Sequence, residues 1–129
     1  MELDSKQKLL IAIYSEYQKD IPDMTLVTHL NLEMQYEVFK MAVAKLVNES
    51  LITEADITYG GSDTVPMRVN LKFCMMTPYG IEYVEKKIGI DNQLSGEQKV
   101  KTVIDKAGKW GWDQFKDFGA RVLAEILTK

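Results

Sequence analysis

The hydrophobic period of this chain changes from helical to strand-like near Leu51 and becomes helical again after Thr77. Before Leu51, apolar residues recur at three- and four-residue steps, as they do along one face of a helix. Between 68 and 76, apolar and polar residues alternate, which is typical of a strand with one buried face. Helices, two strands and further helices therefore follow one another, and we expect a mixed α+β fold.

Three helices are predicted ahead of the first strand. The first covers 4–19, with Asp4 and Ser5 as candidate N-caps. It ends before Pro22, since a proline disfavours helical backbone in the residue that precedes it. A short helix is expected at 24–30. Asn31 then resembles the N-cap of a longer helix over 32–49.

Two antiparallel strands are predicted at 51–58 and 68–76. They are joined by a loop over 59–67 that contains two glycines and a proline, which is too short for a parallel connection. Alternation places Cys74 on the polar side of the second strand. The same alternation gives that strand an apolar face made of Val69, Leu71, Phe73 and Met75.

The last part of the chain is predicted to be helical. Thr77 caps one helix, with Pro78 in its first turn, where a missing N–H is harmless. After a linker at 91–95, Ser95 caps a final segment whose apolar residues keep one helical phase over 96–127. The phase favours one long amphipathic helix over two, although Gly108 and Gly111 interrupt it. We expect a domain over 1–90 and a helical extension over 96–129.

Three helices followed by a hairpin are the order that a winged helix-turn-helix domain requires. Three segments also resemble the YjcQ-type winged-helix proteins of Gram-positive bacteria and their prophages. Residues 6–13 (KQKLLIAI) fit the first helix, 39–52 fit the third helix and first wing strand, and 76–84 (MTPYGIEYV) fit the segment after the wing. The resemblance covers about residues 5–90. It implies the fold, and it implies DNA binding and transcription regulation by analogy of fold.

Composition argues against several classes of protein. A single cysteine, Cys74, excludes an intramolecular disulfide, and no apolar run approaches the ~20 residues of a membrane span. The acidic start lacks a signal-peptide pattern, so we expect a cytoplasmic protein. The single histidine, His29, lies far from Cys74 in sequence and is assigned a structural role at the end of the short helix. We therefore expect no metal, no cofactor and no enzymatic activity.

DNA binding is the leading functional hypothesis, with helix 32–49 and the loop 59–67 facing the duplex. Residues 1–90, however, hold nine basic and thirteen acidic residues, which does not favour a polyanion. Glu33 and Glu37 lie at the end of the helix that would meet DNA. The side chains available for bases and phosphates are Asn31, Gln35, Lys40, Lys45, Arg68 and Lys72.

The alternative hypothesis is a protein-interaction module that does not bind DNA. Met34, Val38 and Met41 share a side of helix 32–49 separate from its predicted core stripe, and methionines suit an adaptable interface. The tail is expected to form a homodimer or, as a weaker alternative, to lie on a membrane surface. Its candidate interface residues are Trp110, Trp112, Phe115, Phe118, Val122 and Ile126.

Overall fold

Five α-helices and four short strands make up residues 2–128, the part of the chain that the computed structural model describes. The helices are α1 (Ser5–Tyr17), α2 (Tyr36–Asn48), α3 (Pro78–Ile88), α4 (Gly96–Lys109) and α5 (Phe115–Leu127). The strands are β1 (Ile52–Thr53), β2 (Asp56–Thr58), β3 (Arg68–Asn70) and β4 (Met75–Met76), and one 3₁₀ turn covers Met24–Leu26. The mixed α+β class is confirmed. No described helix is both long and apolar enough to cross a membrane.

Three helices begin at the caps that the sequence predicts. The Asp4 carboxylate accepts the backbone N–H of Gln7 at 2.8 Å, and the Gln7 side chain accepts the N–H of Asp4 in return. Ser95 forms the same reciprocal capping box at the start of α4. Thr77 accepts the N–H of Gly80 at 2.8 Å ahead of α3. These starts depend on contacts within four residues, so local sequence determines them.

Helix α2 begins at Tyr36, so the prediction that Asn31 is its N-cap is wrong. Residues 27–34 form successive turns instead of a helix, and Glu33 has a positive φ of 53°. The Asn31 side chain donates to the carbonyl of Leu26 at 2.6 Å. Its backbone N–H donates to the hydroxyl of Thr28 at 3.0 Å. These side-chain bonds give the backbone an alternative to helix, and the predicted short helix is reduced to the 3₁₀ turn.

The strands form an antiparallel hairpin, as predicted, but a turn divides it. Ile52 pairs with Met76 in the β1–β4 sheet, and Ile57 pairs with Val69 in the β2–β3 sheet. Between β3 and β4, the N–H of Cys74 donates to the carbonyl of Leu71 at 2.9 Å. A one-residue change of register exchanges the two faces of a strand. Cys74 is therefore buried and Phe73 is 73% exposed, the reverse of the sequence prediction.

The predicted long C-terminal helix is two helices. After α4, Gly111 adopts a left-handed φ of 75°, and the N–H of Trp112 donates to the carbonyl of Ala107 at 2.9 Å. The N–H of Gly111 also donates to the carbonyl of Gly108 at 3.3 Å, which completes a Schellman motif. The chain thus reverses, and α5 packs against α4. Glycine permits this reversal because it has no Cβ to clash in the left-handed region.

Helix α1 lies at the centre of the molecule and contacts every other helix. Its residues from Leu9 to Glu16 are all buried. The apolar side chains of α4 and α5 pack on α1 in the same hydrophobic cluster as those of residues 1–90. The stripe that the sequence predicts as an exposed dimer interface is therefore buried within the chain at Trp112, Phe115, Phe118 and Val122.

Candidate recognition surface on helix α2 and the hairpin

Lys40 connects α2 to the hairpin. Its ammonium lies 2.8 Å from the Glu37 carboxylate, donates to the carbonyl of Met67 at 3.3 Å, and lies 4.5 Å from the centre of the Tyr36 ring. Only 6% of the residue is exposed. The Lys40 ammonium thus contacts groups of the protein itself. Lys40 is therefore not available as one of the cations that the sequence proposed for contacts with DNA.

The remaining candidate cations are exposed but separated. Lys45 lies in the last turn of α2, Arg68 begins β3, and Lys72 follows β3. Within the described residues, none of the three forms an ion pair. Since Lys40 is buried between helix and hairpin, it does not join them into one positive surface. The segment 31–72 as a whole holds six acidic and four basic residues.

The two amide candidates differ in their freedom to bind a ligand. Asn31 is held by its bonds to Leu26 and Thr28, and so organises the turn before α2. Gln35 occupies the N-cap position of α2, is exposed, and makes no side-chain capping bond. Of these two amides, Gln35 is the one that no side-chain hydrogen bond holds within the described part of the chain.

Three exposed side chains lie at the junction where Lys40 is buried. We define the α2–hairpin face as Tyr36 of α2 together with Tyr59 and Met67 of the hairpin. Contacts with the Lys40 ammonium bring the ring of Tyr36 and the backbone of Met67 together. Tyr59 follows Thr58, whose carbonyl accepts the Met67 N–H at 2.8 Å.

The sequence did not find this face. It placed Met34, Val38 and Met41 on one side of the helix, and in the structure Val38 is exposed and the two methionines are half-buried. Val38 is two residues from both Tyr36 and Lys40, which places it on the opposite side of α2. Tyr59 and Met67 lie in the hairpin loop, where no periodicity indicates which side chains are exposed. Contacts across the hairpin decide their position.

A groove of about 230 Å³ runs between β3 and the start of α2. It is lined by Met24, Val27, His29, Tyr36, Phe39, Val69 and neighbouring residues. The His29 ring lies 4.7 Å from the Tyr36 ring and 6.2 Å from the Phe39 ring. His29 thus packs between aromatic rings in a turn, and not at the end of the helix predicted for it.

The aromatic side chains of the tail are mostly unavailable to a partner. Trp112, Phe115 and Phe118 are at most 3% exposed, and Phe115 lies 4.8 Å from the Trp112 ring centre. Trp110 and Ile126 are half-buried and pack on the same core. The arrangement provides neither an apolar stripe for a second copy nor an aromatic belt for a membrane surface.

The chemistry-bearing residues do not come together. Cys74 is buried, and its burial raises the pKa of the thiol to about 12, so it is a poor nucleophile. His29 faces aromatic rings and not Cys74. Within residues 2–128, no group of three or more His, Cys, Asp or Glu residues is placed to hold a metal ion.

No protein-family model, curated protein or solved structure matches this chain. The resemblance to YjcQ-type winged-helix proteins therefore stays a prediction. Functional inference then depends on the geometry of the α2–hairpin face itself.

Proposed function

We propose that this chain is a non-enzymatic protein-interaction module of winged-helix type, which binds a protein partner through the α2–hairpin face. The order α1, turn, α2, hairpin and α3 supports the winged-helix arrangement, with α2 in the position of the recognition helix. The turn at 24–34 takes the place of the second helix.

The burial of Lys40 carries the proposal. A helix and hairpin that bind DNA need cations directed outward, since each neutralised phosphate contributes to affinity. Here the cation at the junction is neutralised by Glu37 and covered by Tyr36. The junction therefore presents an aromatic ring and a methionine, Met67, to the solvent.

The composition of the face supports a protein partner. Tyrosine and methionine are enriched in the buried centres of protein interfaces, whereas lysine and glutamate are depleted there. Tyr59 and Met67 are each 55% exposed, and Tyr36 is 41% exposed. The flexible side chain of Met67 allows the face to adapt to the partner.

Photo-cross-linking tests this assignment. A photoreactive amino acid replaces Tyr59, which is exposed in the hairpin, and the matched control carries it at Asn92 in the loop before α4. In cells that produce the protein, we expect a discrete protein adduct from position 59 and none from position 92. Met67→Glu should abolish the adduct, since it adds a charge to the face. No adduct at position 59, or one that persists with Met67→Glu, would contradict the proposal.

DNA binding is the second candidate, and the exposed cationic side chains of Lys45, Arg68 and Lys72 favour it. Three phosphate contacts would make binding weak, with a slope of log affinity against log salt of about −3. A mobility shift on random duplex at low salt tests it. Binding that is lost with Arg68→Ala and Lys72→Ala would support DNA as the ligand. Absence of a shift at low salt would remove this candidate.

A further inference from the structure

Strand β3 has one unpaired edge. It pairs with β2 through Asp56, Ile57 and Thr58, in a sheet of two strands. Among the described residues, the only backbone hydrogen bond recorded for 69–71 outside this pairing is the turn from Cys74 to Leu71. Edge strands of this kind offer a row of donors and acceptors to another extended chain.

An apolar groove lies along this edge. The 230 Å³ groove described above is lined by Val69 and Leu71 of the hairpin and by Tyr36 and Phe39 of α2. Side chains alternate along a strand, so a strand added to β3 would direct every second side chain toward the apolar wall. The groove thus suits an aliphatic side chain of an extended peptide.

The two ends of the edge are positively charged. Arg68 begins β3 and Lys72 lies two residues beyond its end; both are exposed and neither has an ion-pair partner among the described residues. Arg68 and Asn70 alternate with Val69 and so lie on the other side of the strand. Acidic residues that flank the aliphatic side chain of a bound strand would meet these cations.

We propose that the β3 edge and its groove bind an extended segment of a protein partner, with acidic and aliphatic residues in alternation, as an added β-strand. Main-chain hydrogen bonds provide the pairing, the groove selects the aliphatic side chain, and Arg68 and Lys72 select the acidic flanks. This inference rests on the proposed function, because Tyr36 belongs to both the groove and the α2–hairpin face.

A second copy of the chain suits this edge less well than an acidic peptide. Antiparallel pairing of two β3 edges centred on Asn70 would place Arg68 of one copy opposite Lys72 of the other. Like charges directly across a strand pair are destabilising. Charge complementarity therefore favours a separate, acidic segment.

Fluorescence anisotropy with the full chain and three synthetic peptides tests the inference. The first peptide alternates glutamate and valine, the second has lysine in place of glutamate, and the third is the acidic peptide with alternate backbone nitrogens methylated. We expect the acidic peptide to bind about tenfold more tightly than the lysine peptide, since two cross-strand ion pairs are exchanged for repulsions. Methylation should abolish binding, because it removes the donors to the strand edge while it keeps every side chain.

A charge reversal of the protein provides the second arm. Arg68→Glu with Lys72→Glu should exchange the preference between the acidic and lysine peptides, whereas Lys87→Glu, on the exposed side of α3, should leave it unchanged. Both sites are exposed, and an unchanged thermal unfolding midpoint verifies that the variant folds. Equal affinity for acidic and basic peptides, or binding that survives methylation, would overturn the inference.

The cross-linking experiment separates this inference from the proposed function. An adduct at position 59 that persists in the Arg68→Glu, Lys72→Glu variant would leave the α2–hairpin face intact and overturn the role of the strand edge. Binding of the acidic peptide without an adduct at position 59 would support the strand edge and contradict the wider face.

Discussion

The phenol of Tyr14 in α1 donates a hydrogen bond of 2.8 Å to the Oε2 atom of Glu85 in α3. The ammonium of Lys99 in α4 lies 2.8 Å from the same oxygen. Tyr14 is fully buried, and Glu85 is 7% exposed. The Glu85 carboxylate thus joins α1, α3 and α4. Because the loss of a partner would leave a buried charge uncompensated, these contacts hold α3 and α4 against α1.

Tyr14→Phe should make the protein less sensitive to alkaline pH. Burial and the hydrogen bond with Glu85 raise the pKa of Tyr14 well above its ordinary value of 10.0. Above about pH 10 the unfolded phenol ionises while the folded one stays neutral, so the free energy of unfolding falls as pH rises. Urea unfolding of both proteins between about pH 8 and pH 11 measures the effect. Parallel pH profiles for the two proteins would contradict this expectation.

Lys19→Met should destabilise the protein by about 3–5 kcal/mol, because it leaves the Glu16 carboxylate charged and buried. The Lys19 ammonium lies 2.8 Å from Oε2 of Glu16, which is fully buried, and 2.6 Å from Oε1 of Glu125 on α5. Glu125→Gln is the matched control. Its side chain is 45% exposed, so this change should cost less than about 1 kcal/mol. Equal losses for the two variants in urea unfolding would refute the assignment.

Two glycines of the tail should respond to alanine in opposite directions. A Cβ at Gly119 would lie 2.7 Å from Cγ1 of Ile104 and 2.8 Å from a ring carbon of Phe115. Gly119→Ala should therefore destabilise the protein by about 1–3 kcal/mol through overpacking between α4 and α5. At Gly108 the nearest atom, on Lys116, is 3.7 Å away. Gly108→Ala should raise the stability by up to about 1 kcal/mol, since alanine favours helix.

Thermal unfolding of both alanine variants checks the packing of the two helices. If α4 and α5 formed one extended helix, each substitution would increase helix propensity and raise the midpoint. A lowered midpoint for Gly119→Ala alone is the expected result.

The Cys74 thiol should react slowly in the folded protein. Burial raises its pKa to about 12, and only the thiolate attacks a disulfide reagent. Near pH 8 the native protein should therefore release the reagent's chromophore far more slowly than the same protein in denaturant. Cys74→Ala gives the blank. Rapid release from the native protein would contradict the burial of Cys74. It would instead support the exposed position that the alternation of apolar and polar residues predicts for this side chain.

Local features of the fold could be predicted from the sequence. The caps at Asp4, Thr77 and Ser95 bind backbone donors within the next three residues, so their neighbours in sequence are sufficient to define them. The antiparallel hairpin was predictable because few residues separate its strands. The exposure of Arg68 and Lys72 followed from their charge.

Features that depend on distant contacts could not be predicted in the same way. Helical periodicity continues from α4 into α5, yet the left-handed Gly111 and the packing of α5 on α1 and α4 reverse the chain. The alternation of apolar and polar residues in the predicted second strand continues past Leu71. The turn there nevertheless exchanges the buried and the exposed face of the strand. In both cases a regular pattern persists across a break, since periodicity reports which residues are apolar and not where the backbone turns.

The sequence by itself determined the class of the fold and the starts of α1, α3 and α4. Tertiary structure decided the character of the candidate surface. Lys40 is a cation in sequence, but contacts with Glu37, Tyr36 and Met67 bury it and leave an apolar face around it. The free energy of a charge depends on its surroundings, and one of these contacts comes from the hairpin, 27 residues away along the chain.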